Sequence, residues 1–307
     1  MQNTTKAERF GVLLIDKPEN MTSHNAVNRV RRLFNTREVG HTGTLDPNAT
    51  GLLILLVGRA VKASEYFCDG DKSYRAKMKL GCVSDTEDIW GEVQITDAPI
   101  PDEGTVVNAA ARFTGDIMQV PPMYSALKRD GQKLVDLARS GKTVEREARP
   151  VCVHSLDIKA CGEGEYELDV TCSKGTYIRT LCADIGAYLG CGAVMSSLRR
   201  TGACGFSLNE AHTFEELEQM TEEERYALLL PTESAFAELP AVRLPDFFAT
   251  LAHRGNEVYQ HKIGIEYAEG TRVRLFDKKG FFAFAEVRRF KDGTALKPIK
   301  QIRLDEI

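Results

Sequence analysis

No apolar run in this 307-residue chain is longer than six residues, the length of Leu52–Val57. A membrane-spanning helix needs ~20, so none is expected. The opening MQNTTKAERF is polar and lacks the apolar stretch of a secretory leader. Eight cysteines are present (Cys68, Cys82, Cys152, Cys161, Cys172, Cys182, Cys191 and Cys204), yet no two are spaced Cys-x-x-Cys and no Cys/His group has zinc-ligand spacing. That removes the common zinc and dithiol readings. Several cysteines sit among apolar neighbours, as Cys152 does between Val151 and Val153, which predicts buried free thiols in a reducing cytoplasm. The phosphate-loop pattern G-x-x-x-x-G-K-[ST] is absent as well.

An excess of positive charge is also missing. There are 40 Lys and Arg against 44 Asp and Glu, a net charge of -4, so the total does not announce a nucleic-acid partner. The distribution is more informative, because binding depends on a local patch. Residues 1–60 carry eight basic against five acidic residues, 121–150 seven against four, and 271–307 ten against five. Residues 211–240 hold eight acidic residues and only Arg225, which masks those patches in the sum.

The hydrophobic fraction of 43% supports a sizeable core, and the length suits one large domain and one small one. Gly11–Ile15 reads as a buried strand closed by Asp16-Lys17-Pro18. Thr22-Ser23 caps a helix with apolar positions at Ala26, Val27, Val30, Leu33 and Phe34. A Gly-rich loop, Gly40 to Pro47, leads into the strand Leu52–Val57. Helix at Ala60–Phe67 and strand at Ser73–Leu80 follow, then a helix near Val106–Phe113 and another at Gln132–Ala138. Pro150–Ile158 and Tyr166–Cys172 read as paired strands joined at Gly162–Gly164. Tyr177–Leu189 reads as helix, Val194–Phe206 as partly extended, and Phe214–Met220 and Glu222–Leu230 as acidic helices. Pro231, Pro240 and Pro245 mark a domain boundary, after which Thr271–Phe276, Phe281–Val287 and Ile299–Leu304 read as short strands. The order of elements is too irregular for a βαβ array. It predicts an α+β body with a central mixed or antiparallel sheet over residues 1–240 and a small β-rich domain over 245–307.

Four segments combine residues able to carry chemistry. In Gly40–Pro47 the proline biases Asp46 away from helical geometry, so this aspartate is either an ordinary turn residue bonding its own backbone or a carboxylate aimed into a cleft. Ser173 to Arg179 places a glycine at a strand-to-helix junction with a guanidinium just beyond it. Asp71-Lys72-Ser73-Tyr74 starts a strand with a tyrosine able to stack on a base or to be half-buried in the sheet. Met123 to Arg129, continued by Lys133, Arg139 and Lys142, interleaves basic with apolar residues in a way that suits RNA contact or a solvated loop.

Each of these segments is ambiguous alone, but their wording and order are not. Asp-Lys-Pro, Gly-His-Thr-Gly-Thr-Leu-Asp-Pro-x-Ala-Thr-Gly, Asp-Lys-x-Tyr, Pro-Pro-x-Tyr-Ser-Ala-Leu-Lys and Cys-Ser-Lys-Gly-Thr-Tyr-Ile-Arg-Thr follow one another along the chain. From about Gly11 to Leu198 the chain resembles the bacterial TruB family, the tRNA pseudouridine-55 synthases. The resemblance implies an isomerase that acts on the T-loop uridine of tRNA without a cofactor or metal. It implies Asp46 as the catalytic carboxylate, Arg179 as its partner and Tyr74 as the residue stacked on the target base. His41 falls on the histidine that holds flipped-out nucleotides, and Tyr177 and Leu198 on positions lining the uridine pocket. Lys17 falls in the Asp-Lys-Pro segment as support or RNA contact, and Lys128 in a flexible RNA-contacting insertion, 121–150. The C-terminal segment stands where such enzymes carry a PUA-like RNA-binding domain. A cytoplasmic monomer with no protein partner is expected. A non-catalytic RNA-binding protein and a guide-dependent synthase subunit are the competing readings.

Overall fold

The computed structural model describes residues 9–67, 70–129 and 131–303. Cys68, Leu304 and the N-terminal MQNTTKAE lie outside the described residues.

The body is a nine-stranded mixed sheet. Its main path runs Gly11–Lys17, Thr50–Val57, Ala193–Ala203, Lys72–Leu80, Glu165–Cys172, Arg149–Gly162 and Gly115–Gln119, with Val39–His41 and Phe206–Ser207 added at the side. Gly11–Lys17 and its neighbour Thr50–Val57 are covered on both faces, which explains why neither alternates in sequence. Thr50–Val57 is buried on both faces, so every residue from Leu52 to Val57 is apolar. Leu53, Leu55 and Val57 join Leu13 and Ile15 in the core beneath the helices. Leu52, Ile54 and Leu56 join Val12 and Leu14 in a second core on the opposite face. Lys72–Leu80 is covered on one side only, and it alternates accordingly: Tyr74, Ala76, Met78 and Leu80 point in, and Arg75, Lys77 and Lys79 point out. All main-path pairings are antiparallel except one. Ala193–Ala203 meets Thr50–Val57 in parallel through Arg199↔Thr50 and Arg200↔Gly51.

The helices packed on the first core include Ser23–Leu33, Glu103–Ala111, Ile178–Leu189 and Phe214–Gln219. The expected cap at Thr22 is present, its hydroxyl accepting from Asn25 N at 3.0 Å. Ile178–Leu189 ends at Gly190, whose φ of 77° suits a residue without Cβ. In the insertion, Gln132 and Lys133 form one arm of a short hairpin with Lys128–Arg129, so the helix there starts later than expected, at Leu134.

The second sheet runs Ala241–Arg243, Arg272–Asp277, Gly280–Phe290, Gly293–Gln301 and Val258–Tyr259. The stretch punctuated by Pro231, Pro240 and Pro245 is therefore not only a linker. It contributes the strand Ala241–Arg243, and Pro245 precedes a helix, Asp246–His253, that sequence reading missed. The last strand starts earlier than Ile299, because Phe290 pairs with Gly293 across a tight turn, and Pro298 is accommodated at a register shift. Phe281, Phe284 and Ile302 pack into the same core as Leu52, Ile54 and Leu56. The second sheet is thus seated on the back of the first.

Candidate active site

Asp46 lies in a turn pinned from three directions. Ser23 Oγ accepts from Leu45 N at 2.9 Å and donates to Leu45 O at 3.0 Å, which locks the residue before it to the start of a helix. Lys17 Nζ donates to Pro47 O at 3.1 Å, and to Pro18 O and Met21 O at 2.8 Å each. Arg200 donates from Nε to Leu52 O at 2.7 Å and from Nη2 to Gly43 O at 3.4 Å. Loop carbonyls that a helix or sheet would satisfy are satisfied here by buried cations. The Asp46 side chain, 44% exposed, is left facing the cleft.

The Arg179 guanidinium stands against it. Nε lies 3.1 Å from Asp46 Oδ2, Nη1 donates to Thr86 O at 3.1 Å, and Nη2 donates to Tyr124 O at 2.8 Å. Asp88 Oδ2 lies 3.8 Å from Nη1. Three nitrogens of the fork thus reach three separate segments, which a lysine cannot do. Tyr177 precedes the helix that carries Arg179. Its backbone N–H donates to Gln119 Oε1 at 2.8 Å, and Gln119 Nε2 donates back to Tyr177 O at 3.0 Å.

The cleft has a volume of about 590 Å³ and is bounded by Asp46 and its loop, Tyr74, Tyr177, Arg179 and Leu198, with Tyr124 and Ser125 from the insertion. Lys72, Lys133, Arg139, Lys174, Arg179 and Arg200 also line it, with Asp46 as the single carboxylate among the lining residues. Burial pushes the Tyr74 and Tyr177 hydroxyls above the ordinary phenol range, so both rings stay neutral. Such a site suits a planar base on an anionic backbone, brought beside a rigid carboxylate.

Five of the eight residues singled out from the sequence meet here: Asp46, Tyr74, Tyr177, Arg179 and Leu198. Lys17 lies outside the cleft lining. It is fully buried, and its ammonium is directed to three carbonyls, one of them in the Asp46–Pro47 turn. Burial lowers its pKa to about 8, although Asp46 pulls the other way. His41 sits on Val39–His41, outside the cleft lining, with a buried Nδ1 that has no hydrogen-bond partner. Burial, with Arg200 and His24 adding, lowers its pKa and keeps the ring neutral. Lys128 lies on the exposed hairpin beside a separate hollow lined by Pro121, Arg129 and Arg146, and the insertion's basic residues that reach the cleft are Lys133 and Arg139. The thiol expectation holds in part: Cys82, Cys172, Cys182 and Cys191 are buried and free, while Cys161 is exposed. Arg200 and Asp88 were missed. Arg200 had one usable signal, since it follows Leu198 by two on a strand and so shares its face.

Comparison with known proteins bears on this geometry. Residues 31–178 match the model of the TruB family pseudouridylate synthase N-terminal domain, and 179–237 that of the tRNA pseudouridylate synthase B C-terminal domain. A curated tRNA pseudouridine synthase B from Burkholderia mallei (strain NCTC 10247) is 46% identical over 269 residues, 87% of this chain and 89% of that protein. One from Methylobacillus flagellatus is 42% identical over 273 residues, 89% of each. Among solved structures, a Cbf5-Nop10-Gar1 complex contains a chain that aligns with a TM-score of 0.74 and 25% identity, covering 96% of this chain and 86% of that one.

Proposed function

The chain belongs to the TruB family of pseudouridylate synthases, and from that premise we propose that it converts the T-loop uridine of tRNA to pseudouridine with Asp46 as the reacting carboxylate. The observation that carries the reading is the ion pair of Asp46 with buried Arg179 at 3.1 Å, beside Tyr74 in a basic cleft. The reaction breaks the N1–C1′ bond and joins C5 to C1′. The C5 proton is lost and N1 gains one, so atoms and electrons balance without a redox partner or group donor. Asp46 stabilises the positive charge that builds at C1′, by its field or by covalent addition. Arg179 keeps that carboxylate oriented.

A uridine inside a folded loop has to leave its stack, at a cost of a few kcal/mol. Stacking on Tyr74 offsets this by ~1–3 kcal/mol. Tyr177 and Leu198 supply apolar walls, and Lys133, Arg139 and Lys174 meet phosphates. The second sheet is assigned to RNA contact as a PUA-like domain. His41 and Lys128, outside the cleft, are left to RNA beyond the target nucleotide. The protein acts as a cytoplasmic monomer, a placement supported by its four buried thiols.

The test incubates purified chain with unmodified tRNA transcript and no added cofactor, and maps pseudouridine at single-nucleotide resolution. Modification at the T-loop uridine, absent with Asp46→Asn, is expected. Tight tRNA binding without modification would favour a non-catalytic RNA-binding protein, or one that needs a guide RNA.

A further inference from the structure

Between the strands Cys82–Ser84 and Val93–Ile95 the chain forms a loop that passes behind Arg179. Thr86 and Asp88 both face the guanidinium. Between them, Glu87 has a φ of 63°, a left-handed conformation that a residue with a Cβ adopts only where its surroundings impose it. Those surroundings are backbone: Glu87 N donates to Ser84 O at 3.2 Å, Met195 N donates to Glu87 O at 3.1 Å, and Ile89 N donates to Met195 O at 3.0 Å. Held this way, the loop brings the Glu87 carboxylate to the hydroxyl of Thr180, which donates to Oε2. Thr180 follows Arg179 in the first turn of the helix Ile178–Leu189, the end at which a negative charge is favoured. Nothing in the site as described so far uses this carboxylate.

We infer that Glu87 is a positioning residue for the proposed reaction: through Thr180 it fixes the helix turn that carries Arg179, and so the guanidinium that holds Asp46. The inference rests on the activity proposed above. The charged and titratable groups around Glu87 are Arg179 and Arg146, which favour its ionised form, Asp88, which disfavours it, and Cys182 and Asp184 on the same helix as Thr180. Burial prevails, and the Glu87 carboxyl is held above the ordinary carboxylate range. Asp184, one turn beyond Thr180, is raised to about 6 by burial and by Glu87. As pH falls, Glu87 gains a proton sooner than an ordinary carboxylate would and ceases to be a pure acceptor for Thr180. The rate is therefore expected to show an acid limb that belongs to the Glu87 site.

The experiment measures single-turnover pseudouridine formation at saturating tRNA against pH, tRNA affinity and thermal stability, for wild type, Glu87→Gly and Glu87→Gln. Glycine suits the positive φ and removes the carboxylate. Glutamine still accepts from Thr180 but cannot titrate. Glu87→Gly is expected to keep stability and tRNA affinity while the rate falls by about 10- to 100-fold, the scale of a displaced catalytic group. Glu87→Gln is expected to recover most of that rate at neutral pH and to flatten the acid limb. A wild-type rate in Glu87→Gly, or an unchanged acid limb in Glu87→Gln, overturns the inference while wild-type turnover leaves the proposed activity standing. Absence of pseudouridine from the wild-type reaction overturns the proposed activity itself, and this inference with it.

Discussion

Arg179→Lys keeps the charge and removes the shape. The arginine is 5% exposed and uses three nitrogens on Asp46, Thr86 O and Tyr124 O, at 3.1, 3.1 and 2.8 Å. A lysine ammonium occupies one point and can serve one of these directions well. Two hydrogen bonds from a charged donor are then lost, each ~1.5–3 kcal/mol. Water entering from the open cleft recovers part of this, which leaves a destabilisation of about 2–4 kcal/mol. The bond to Tyr124 also ties the 121–150 insertion to the helix that carries Arg179. Its loss should expose that segment to protease before the rest of the chain. Because the positive charge remains, tRNA affinity should change little, whereas the single-turnover rate should fall by about 10²-fold through misplacement of Asp46. Urea denaturation, limited proteolysis with mapped cleavage and single-turnover kinetics read these separately. A lysine variant with the wild-type midpoint, cleavage pattern and rate would refute the reasoning that the fork, rather than the charge, organises the site.

Asp46→Asn should abolish turnover and spare tRNA affinity, as read by pseudouridine mapping beside filter binding; measurable turnover would remove the carboxylate from its role. Tyr74→Phe keeps the stacking face and should stay near the wild-type rate, whereas Tyr74→Ala should lose ~1–3 kcal/mol of base stacking, a factor of about 5–150 in kcat/KM. Gly51→Ala should destabilise by about 3 kcal/mol or more. Its φ is +99°, and a Cβ there would lie 2.3 Å from Arg200 O and 2.8 Å from Arg200 N, both backbone atoms of the parallel partner; an unchanged denaturation midpoint would show that the two strands can part freely. Asp184→Asn should stabilise the protein at pH 8 by about 1–3 kcal/mol. The Asp184 carboxyl is raised from 3.8 to about 6 in the fold, so its ionisation weakens folding as pH rises through 6. The gain should vanish below about pH 4, where the group is protonated in both folded and unfolded chains, and a pH-independent gain would contradict the assignment.

The features legible in the sequence depend on neighbours along the chain, or on a fixed motif. The Thr22 cap, the hairpin Arg149–Gly162 to Glu165–Cys172 and the doubly buried strand at Leu52–Val57 follow from capping, turn and apolar-run signals within a few residues. Asp46, Tyr74, Tyr177, Arg179 and Leu198 were placed by motif wording, and the topology that unites them comes from non-local pairing. Arg75↔Arg199 and Tyr74↔Arg200 join strands more than a hundred residues apart, and Arg199↔Thr50 closes the one parallel contact of the main path. Arg200 illustrates why such residues were missed. On the sequence it is one of two adjacent arginines and looks like surface charge. In the fold it is 2% exposed, and its donors reach Leu52 O and Gly43 O on both sides of the Asp46 turn. A buried cation is tolerated only where carbonyls await it, and those carbonyls are made available by the loop that the arginine itself holds. Arg200 and the Gly43–Pro47 turn therefore specify one another. Lys17 stands in the same relation to Pro47 O from the opposite side. With a buried cation on each side, the Asp46 turn is tied to the sheet, so the carboxylate enters the cleft already oriented.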